Sequence, residues 1–220
     1  STTQTNILCF GNSTGSITVS PSGGVPGYTY LWNNNLTTAT ISNQPAGTYT
    51  VVVTDANNCS TSVSATLTQP ALPLTAVLSV TNNLCFSGAI GAIDAAVSGG
   101  VGPYQYQWSN QAQTEDINGL IAGVYQFTVT DANACTFTTT ATVTQPDQIT
   151  IPGTQITNVS CFGENDGEIN ISPIGGTPGY AFNWSNGQFT EDAFALIAGS
   201  YNLTITDANN CSNQFNFNIT

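Results

Sequence analysis

The sequence predicts an all-β chain of three tandem antiparallel β-sandwich modules, and three observations carry that prediction. The first is a strict internal period. "YTVVVTDANNC" ends at Cys59, "YQFTVTDANAC" at Cys135 and "YNLTITDANNC" at Cys211, 76 residues apart each time. Trp32, Trp108 and Trp184 keep the same interval, as do Cys9, Cys85 and Cys161, so each repeat is one structural module. The second is alternation of apolar and polar residues over short runs, the period of a half-buried strand. The third is turn chemistry: "SGGVPGY", "SGGVGPY", "IGGTPGY" and the later "PAG" or "IAG" supply positive φ through Gly and fixed bends through Pro.

Taken along one repeat, Ile17 and Val19 open the strand pattern, with Ile169 and Ile171 in the third copy. Tyr28, Tyr30 and Trp32 then alternate with Thr29, Leu31 and Asn33, which places the aromatics on one face. Tyr49, Val51 and Val53 alternate with Thr50, Val52 and Thr54, and Val63, Ala65 and Leu67 close the repeat. Six or seven such strands per repeat read as an immunoglobulin-like sandwich, with no helical period anywhere. Trp32, Trp108 and Trp184, with Tyr49, Tyr125 and Tyr201, are the expected core, the tryptophans beside a disulfide. Boundaries at "TQPALP" and "TQPDQI" give modules 1–70, 71–146 and 147–220, set end to end on short proline-stiffened links. The first is expected to be N-terminally truncated. The absence of Met, and an end at Thr220 where Thr68 and Thr144 continue into Gln-Pro, point to a piece of a longer chain.

Modules of this size seldom hold together by burial alone, and two Cys per repeat supply the usual staple. A strict repeat favours pairing within a unit: Cys9 with Cys59, Cys85 with Cys135, Cys161 with Cys211. Each bond would contribute about 4 kcal/mol by closing its loop. Zinc is the rival use of Cys, but two thiols without His do not complete four ligands. Asp55, Asp131 and Asp207 recur in "TDANxC" as turn residues, whose short side chains bond local backbone at a hairpin corner.

Charge excludes whole classes of function. Twelve Asp and Glu face no Lys, Arg or His, and charged residues make up 5% of the chain against roughly 25% in ordinary domains. Without cationic side chains it lacks the main source of affinity for nucleic acid and for anionic membranes. No apolar run approaches a membrane span, and no signal peptide opens the sequence. The usual bases, nucleophile activators and anion clamps are missing, and repeat one holds a single acidic residue, so an enzyme is not expected. No cofactor is expected either. The one metal alternative is calcium at "GENDGEIN", where Glu164, Asp166 and Glu168 alternate. Repeats one and two lack those ligands. Any sugar-binding surface is expected on the variable loops Asn33 to Thr38, Gln111 to Asp116 and Asn186 to Asp192 rather than on the tryptophans.

Several of these features occur together at fixed spacing: "CFG", the Gly before the Ile-rich strand, "GGxPGY", the Trp, "AGxYxxxxTDANxC" and a closing "TQP". That constellation resembles the SprB repeat of Bacteroidota surface proteins across all three units, with "SGAIG" at Ser87 to Gly91 as a departure. The resemblance implies an extracellular stretch of a giant adhesin, exported by type IX secretion and moved by the gliding machinery through other parts of the protein. A polysaccharide or a solid surface would be the partner. The expected role is a disulfide-stapled stalk. The alternative is that each repeat binds polysaccharide weakly and the sites sum by multivalency, with calcium assisting.

Overall fold

The alternating runs form eighteen strands and no helix in the computed structural model, which describes residues 1–220. Repeat one contains β1 (Thr2–Thr5), β2 (Gly15–Val19), β3 (Thr29–Trp32), β4 (Thr40–Gln44), β5 (Gly47–Thr54) and β6 (Ser60–Leu67). Repeat two follows with β7 (Thr75–Thr81), β8 (Gly91–Ser98), β9 (Gln105–Trp108), β10 (Ile117–Leu120), β11 (Gly123–Thr130) and β12 (Thr136–Val143). Repeat three has β13 (Gln155–Thr157), β14 (Gly167–Asn170), β15 (Ala181–Trp184), β16 (Ala193–Leu196), β17 (Gly199–Thr206) and β18 (Ser212–Ile219).

Every repeat makes two three-stranded sheets. In repeat one the orders are β1-β2-β4 and β3-β5-β6, and the pattern recurs in the other two. First, second and fourth strands facing third, fifth and sixth is the partition of an immunoglobulin sandwich. The tyrosine corner of that fold is also present: Tyr49 at the start of β5 donates its hydroxyl to the Pro45 carbonyl at 3.0 Å. Tyr125 does so to Ile121, and Tyr201 to Ile197. By compactness the chain divides into two units: Ser1–Leu78, Ala95–Glu115 and Gln126–Thr140, and Ser79–Asp94, Asp116–Tyr125 and Ala141–Thr220. The middle repeat contributes to both.

Alternation puts one face of each strand in the core. Ile17, Trp32, Ile41, Val51 and Leu67 are fully covered in repeat one, and Ile169, Trp184, Leu196, Leu203 and Ile219 in repeat three. Each such side chain contributes roughly 1.5–3 kcal/mol by leaving water. The tryptophans are 1–2% exposed, and each indole N–H donates to a loop carbonyl, of Thr38, Thr114 or Thr190. Buried and satisfied, they offer no platform to a sugar. Close approach explains the Gly ahead of the second strand: a Cβ on Gly91 would overlap the Val143 side chain and the Leu120 carbonyl.

The pairing expected within each repeat is corrected by the structure. Cys9 bonds Cys135, and Cys85 bonds Cys211, each across 126 residues, with Cα separations of 5.7 and 5.5 Å. Cys59 and Cys161 are free and exposed. The reason is geometric. The Ile7 amide bonds the Thr68 carbonyl, which holds the Cys9 loop at the Leu67 end of β6, whereas Cys59 precedes Ser60 at the other end. Eight residues of strand separate those ends by roughly 26 Å, far beyond the ~7 Å Cα limit of a disulfide. Nor does a disulfide flank Trp32 or Trp184, since no cysteine belongs to the clusters around them.

Candidate functional site: a clasp between repeats

The "TDANxC" phrase builds one half of a junction. Asp131 Oδ1 accepts the amides of Asn133 at 2.8 Å and Cys135 at 2.9 Å, while Oδ2 accepts the Val101 amide at 3.0 Å. Asp207 repeats this with Asn209, Cys211 and Thr177, and Asp55 with Asn57, Cys59 and Val25. One carboxylate therefore fixes the corner that presents the cysteine and ties it to the glycine-rich loop. Gly100 must approach that carboxylate closely at φ +61°, where a Cβ would lie 2.7 Å from Asp131 Oδ2; Gly24 and Gly176 do the same.

At Asp55 and Asp207 the amide donors favour the ionised acid. For Asp55, the Val25 amide, then that of Cys59, holds the carboxyl below the usual aspartate range. At Asp207 burial opposes ionisation, but the amides of Thr177, Cys211 and Asn209 together outweigh it and the pKa is lowered.

The "CFG" loop of the preceding repeat is the other half. Asn133 Nδ2 donates to the Leu8 carbonyl at 2.9 Å beside the Cys9–Cys135 bond, and Asn209 Nδ2 donates to Leu84 at 3.3 Å beside Cys85–Cys211. The loop is anchored within its own repeat, where the Gly11 amide bonds Gln69 Oε1 and the Ser87 amide bonds Gln145 Oε1. A disulfide and a hydrogen bond thus join each repeat to the next.

The other candidates lie elsewhere. Glu164, Asp166 and Glu168 are exposed and form no ligand cluster. Asp166 instead accepts the Ser160 amide at 3.0 Å, and Ser160, chiefly through its hydroxyl, lowers the carboxyl's pKa. The three variable loops are largely exposed. One buried polar residue escaped the sequence reading. Asn83 is 3% exposed, accepts the amides of Ile90 and Gly91 and donates to the Leu120 carbonyl. Its equivalents are Ile7 and Val159, and the departing "SGAIG" loop was the visible signal.

Solved structures similar to the chain are arrays of immunoglobulin domains. The eight N-terminal domains of Down Syndrome Cell Adhesion Molecule match at 14% identity and TM-score 0.43, over 87% of this chain and 32% of that one. Sidekick-1 domains 1–5 match at 11% identity and TM-score 0.31, over 98% and 56%. Drosophila OTK extracellular domains 3–5 match at 12% and 0.27, over 88% and 85%. No curated protein sequence matches. The SprB repeat model matches residues 1–37, 77–113 and 153–189. Those matches recur at the 76-residue period and together take in half of the residues, so the chain belongs to the SprB repeat family.

Proposed function

We propose that this chain is a load-bearing stretch of a secreted adhesin filament at the cell surface, serving attachment and gliding motility after type IX export. The observation that carries this reading is the disulfide between successive repeats. A pull entering at Cys9 passes to Cys135 through one S–S bond, and 26 residues of backbone then lead to Cys161. A second track runs 26 residues from Cys59 to Cys85 and crosses to Cys211. At ~3.4 Å per residue either backbone segment reaches at most about 90 Å, whereas the unbridged backbone from Cys9 to Cys161 would reach about 520 Å, so the disulfides cap the length that unfolding can release. A chain without Lys, Arg or His also offers trypsin-like proteases no site and repels its like-charged neighbours.

Force spectroscopy with handles at Ser1 and Thr220 tests this. The shortest covalent path in the oxidised chain runs through Cys9 and Cys135, back to Cys85 and out through Cys211. Oxidised protein should therefore extend to about a third of the reduced length. Equal extension would remove the load-bearing role.

A second reading, weak polysaccharide binding by each repeat, draws on the exposed Phe189 and Phe194 in and beside the variable loop of repeat three. Binding of a glycan panel to the oxidised chain, with calcium and with chelator, should fall on Phe189→Ala under this reading. No binding in either condition leaves the stalk alone.

A further inference from the structure

Cys59 and Cys161 are unpaired, yet their repeat equivalents are all bonded. Cys161 stands where Cys9 and Cys85 stand, in the "CFG" half of the clasp; Cys59 stands where Cys135 and Cys211 stand, in the "TDANxC" half. We infer that these two thiols are the open ends of one disulfide series, and that each takes the complementary half of another repeat of this kind, in the isolated chain a second copy of itself.

Three observations besides the thiols show both halves built and uncovered. Phe162 is fully exposed at 107%, whereas Phe10 and Phe86, which sit beside bonded cysteines, are 43% and 45% exposed. Asn57 holds its backbone amide on Asp55, as Asn133 and Asn209 do on theirs, but its side-chain amide lacks the carbonyl acceptor that Leu8 and Leu84 provide. Each free thiol also opens on a shallow cleft. One of about 400 Å³ is lined by Tyr28, Asp55, Cys59 and Val63, and one of about 550 Å³ by Cys161, Phe162, Ile197 and Thr220. At the made junction, Cys85 and Phe86 line a smaller cleft together with Asp147, Asp207 and Cys211. Continuity with two existing junctions thus fixes the occupant and its polarity: Cys161 of one copy meets Cys59 of the next.

The step is a balanced exchange. The Cys161 thiolate attacks one sulfur of a small-molecule disulfide such as oxidised glutathione and releases one thiol. Cys59 of the second copy then attacks the Cys161 sulfur of the mixed disulfide and releases the other. Two protein thiols become one disulfide, and the oxidant becomes two thiols.

The test uses the whole chain with its two internal disulfides formed. Cys59→Ser leaves only Cys161 free, and Cys161→Ser leaves only Cys59 free. Each variant is incubated alone and the two together in a glutathione redox buffer, and products are read on non-reducing gels. Mass spectrometry of chymotryptic peptides then identifies the linkage. The mixture should give a Cys161–Cys59 heterodimer at least about tenfold faster than either variant gives a homodimer, and the unsubstituted chain should grow a head-to-tail ladder. Phe162→Ala or Asn57→Ala in the mixture should slow the heterodimer severalfold. Homodimers and heterodimers forming at equal rates, or thiols that end only as glutathione adducts, would overturn the inference. Intact internal disulfides in every variant show that folding is not the cause.

Discussion

Asn133 donates its side-chain amide to the carbonyl of Leu8, 125 residues earlier in the chain, at 2.9 Å. That bond lies beside Cys9–Cys135 and aligns the two loops the disulfide joins. Asn133→Ala should lower stability by about 1 kcal/mol, the usual worth of one such bond. It should also slow formation of Cys9–Cys135 on reoxidation. Refolding with timed thiol trapping checks this, and an unchanged rate would show that the asparagine plays no part in docking.

Asp131→Ala should cost more, because it orphans three amides at once, those of Val101, Asn133 and Cys135. A loss of about 2–4 kcal/mol is expected in urea unfolding. Asp131→Asn, which keeps one acceptor oxygen, should cost less. Equal losses in the two variants would mean that neither the side-chain volume nor the one remaining acceptor oxygen contributes, and that the charged carboxylate alone is responsible.

Removing a clasp should cost more still. A loop of 126 residues closed by a disulfide is worth about 5 kcal/mol on the chain-entropy account. Cys85→Ser should therefore lower the melting temperature by clearly more than Cys59→Ser, which breaks no bond. Matching melting temperatures would contradict the pairing.

The acid limb follows from Asp55 and Asp207, whose folded pKa values lie below the ordinary one. A carboxyl depressed in the folded state contributes its full stability above its unfolded pKa of about 3.9 and loses it as pH falls through the lower folded value. Urea midpoints should accordingly drop below about pH 4. Asp207→Asn should flatten that drop, and superimposable profiles would refute the assignment.

Asn83 supplies a comparison the repeats make themselves. Asn83→Ala strands the amides of Ile90 and Gly91 and the Leu120 carbonyl in a buried place, at about 2–4 kcal/mol by thermal unfolding. Grafting the apolar residue of repeat one, as Asn83→Ile, should not restore stability unless the "SGAIG" loop is exchanged with it.

Strand positions, core tryptophans and the role of Asp55, Asp131 and Asp207 were legible because alternation and turn chemistry act locally. The disulfide partners were not, because pairing depends on which end of the sandwich each cysteine occupies. Counting strands between Cys9 and Cys59 gives four, which would return the chain to the end where it started. After β3 the chain must regain the other end, where Thr40 of β4 pairs with Thr18, and residues 33–39 make that passage without forming a strand. The extra traverse places Cys9 and Cys59 at opposite ends, and no periodicity reveals it. The period itself held the other clue, since a bond between repeats obeys the same 76-residue spacing as one within them. Asn83 was missed for a different reason: polarity at one position in one repeat has no periodic signature.

The two disulfides overlap: Cys9–Cys135 bridges every peptide bond from residue 9 to 135, and Cys85–Cys211 every one from 85 to 211. No single backbone cleavage between Cys9 and Cys211 can therefore sever the chain, and the stretch between Cys85 and Cys135 is bridged twice. A protein nicked once anywhere in that span should run as one species without reductant and as two fragments with it. The repeats thus carry the redundancy of a stitched seam, in which one broken thread leaves the fabric joined.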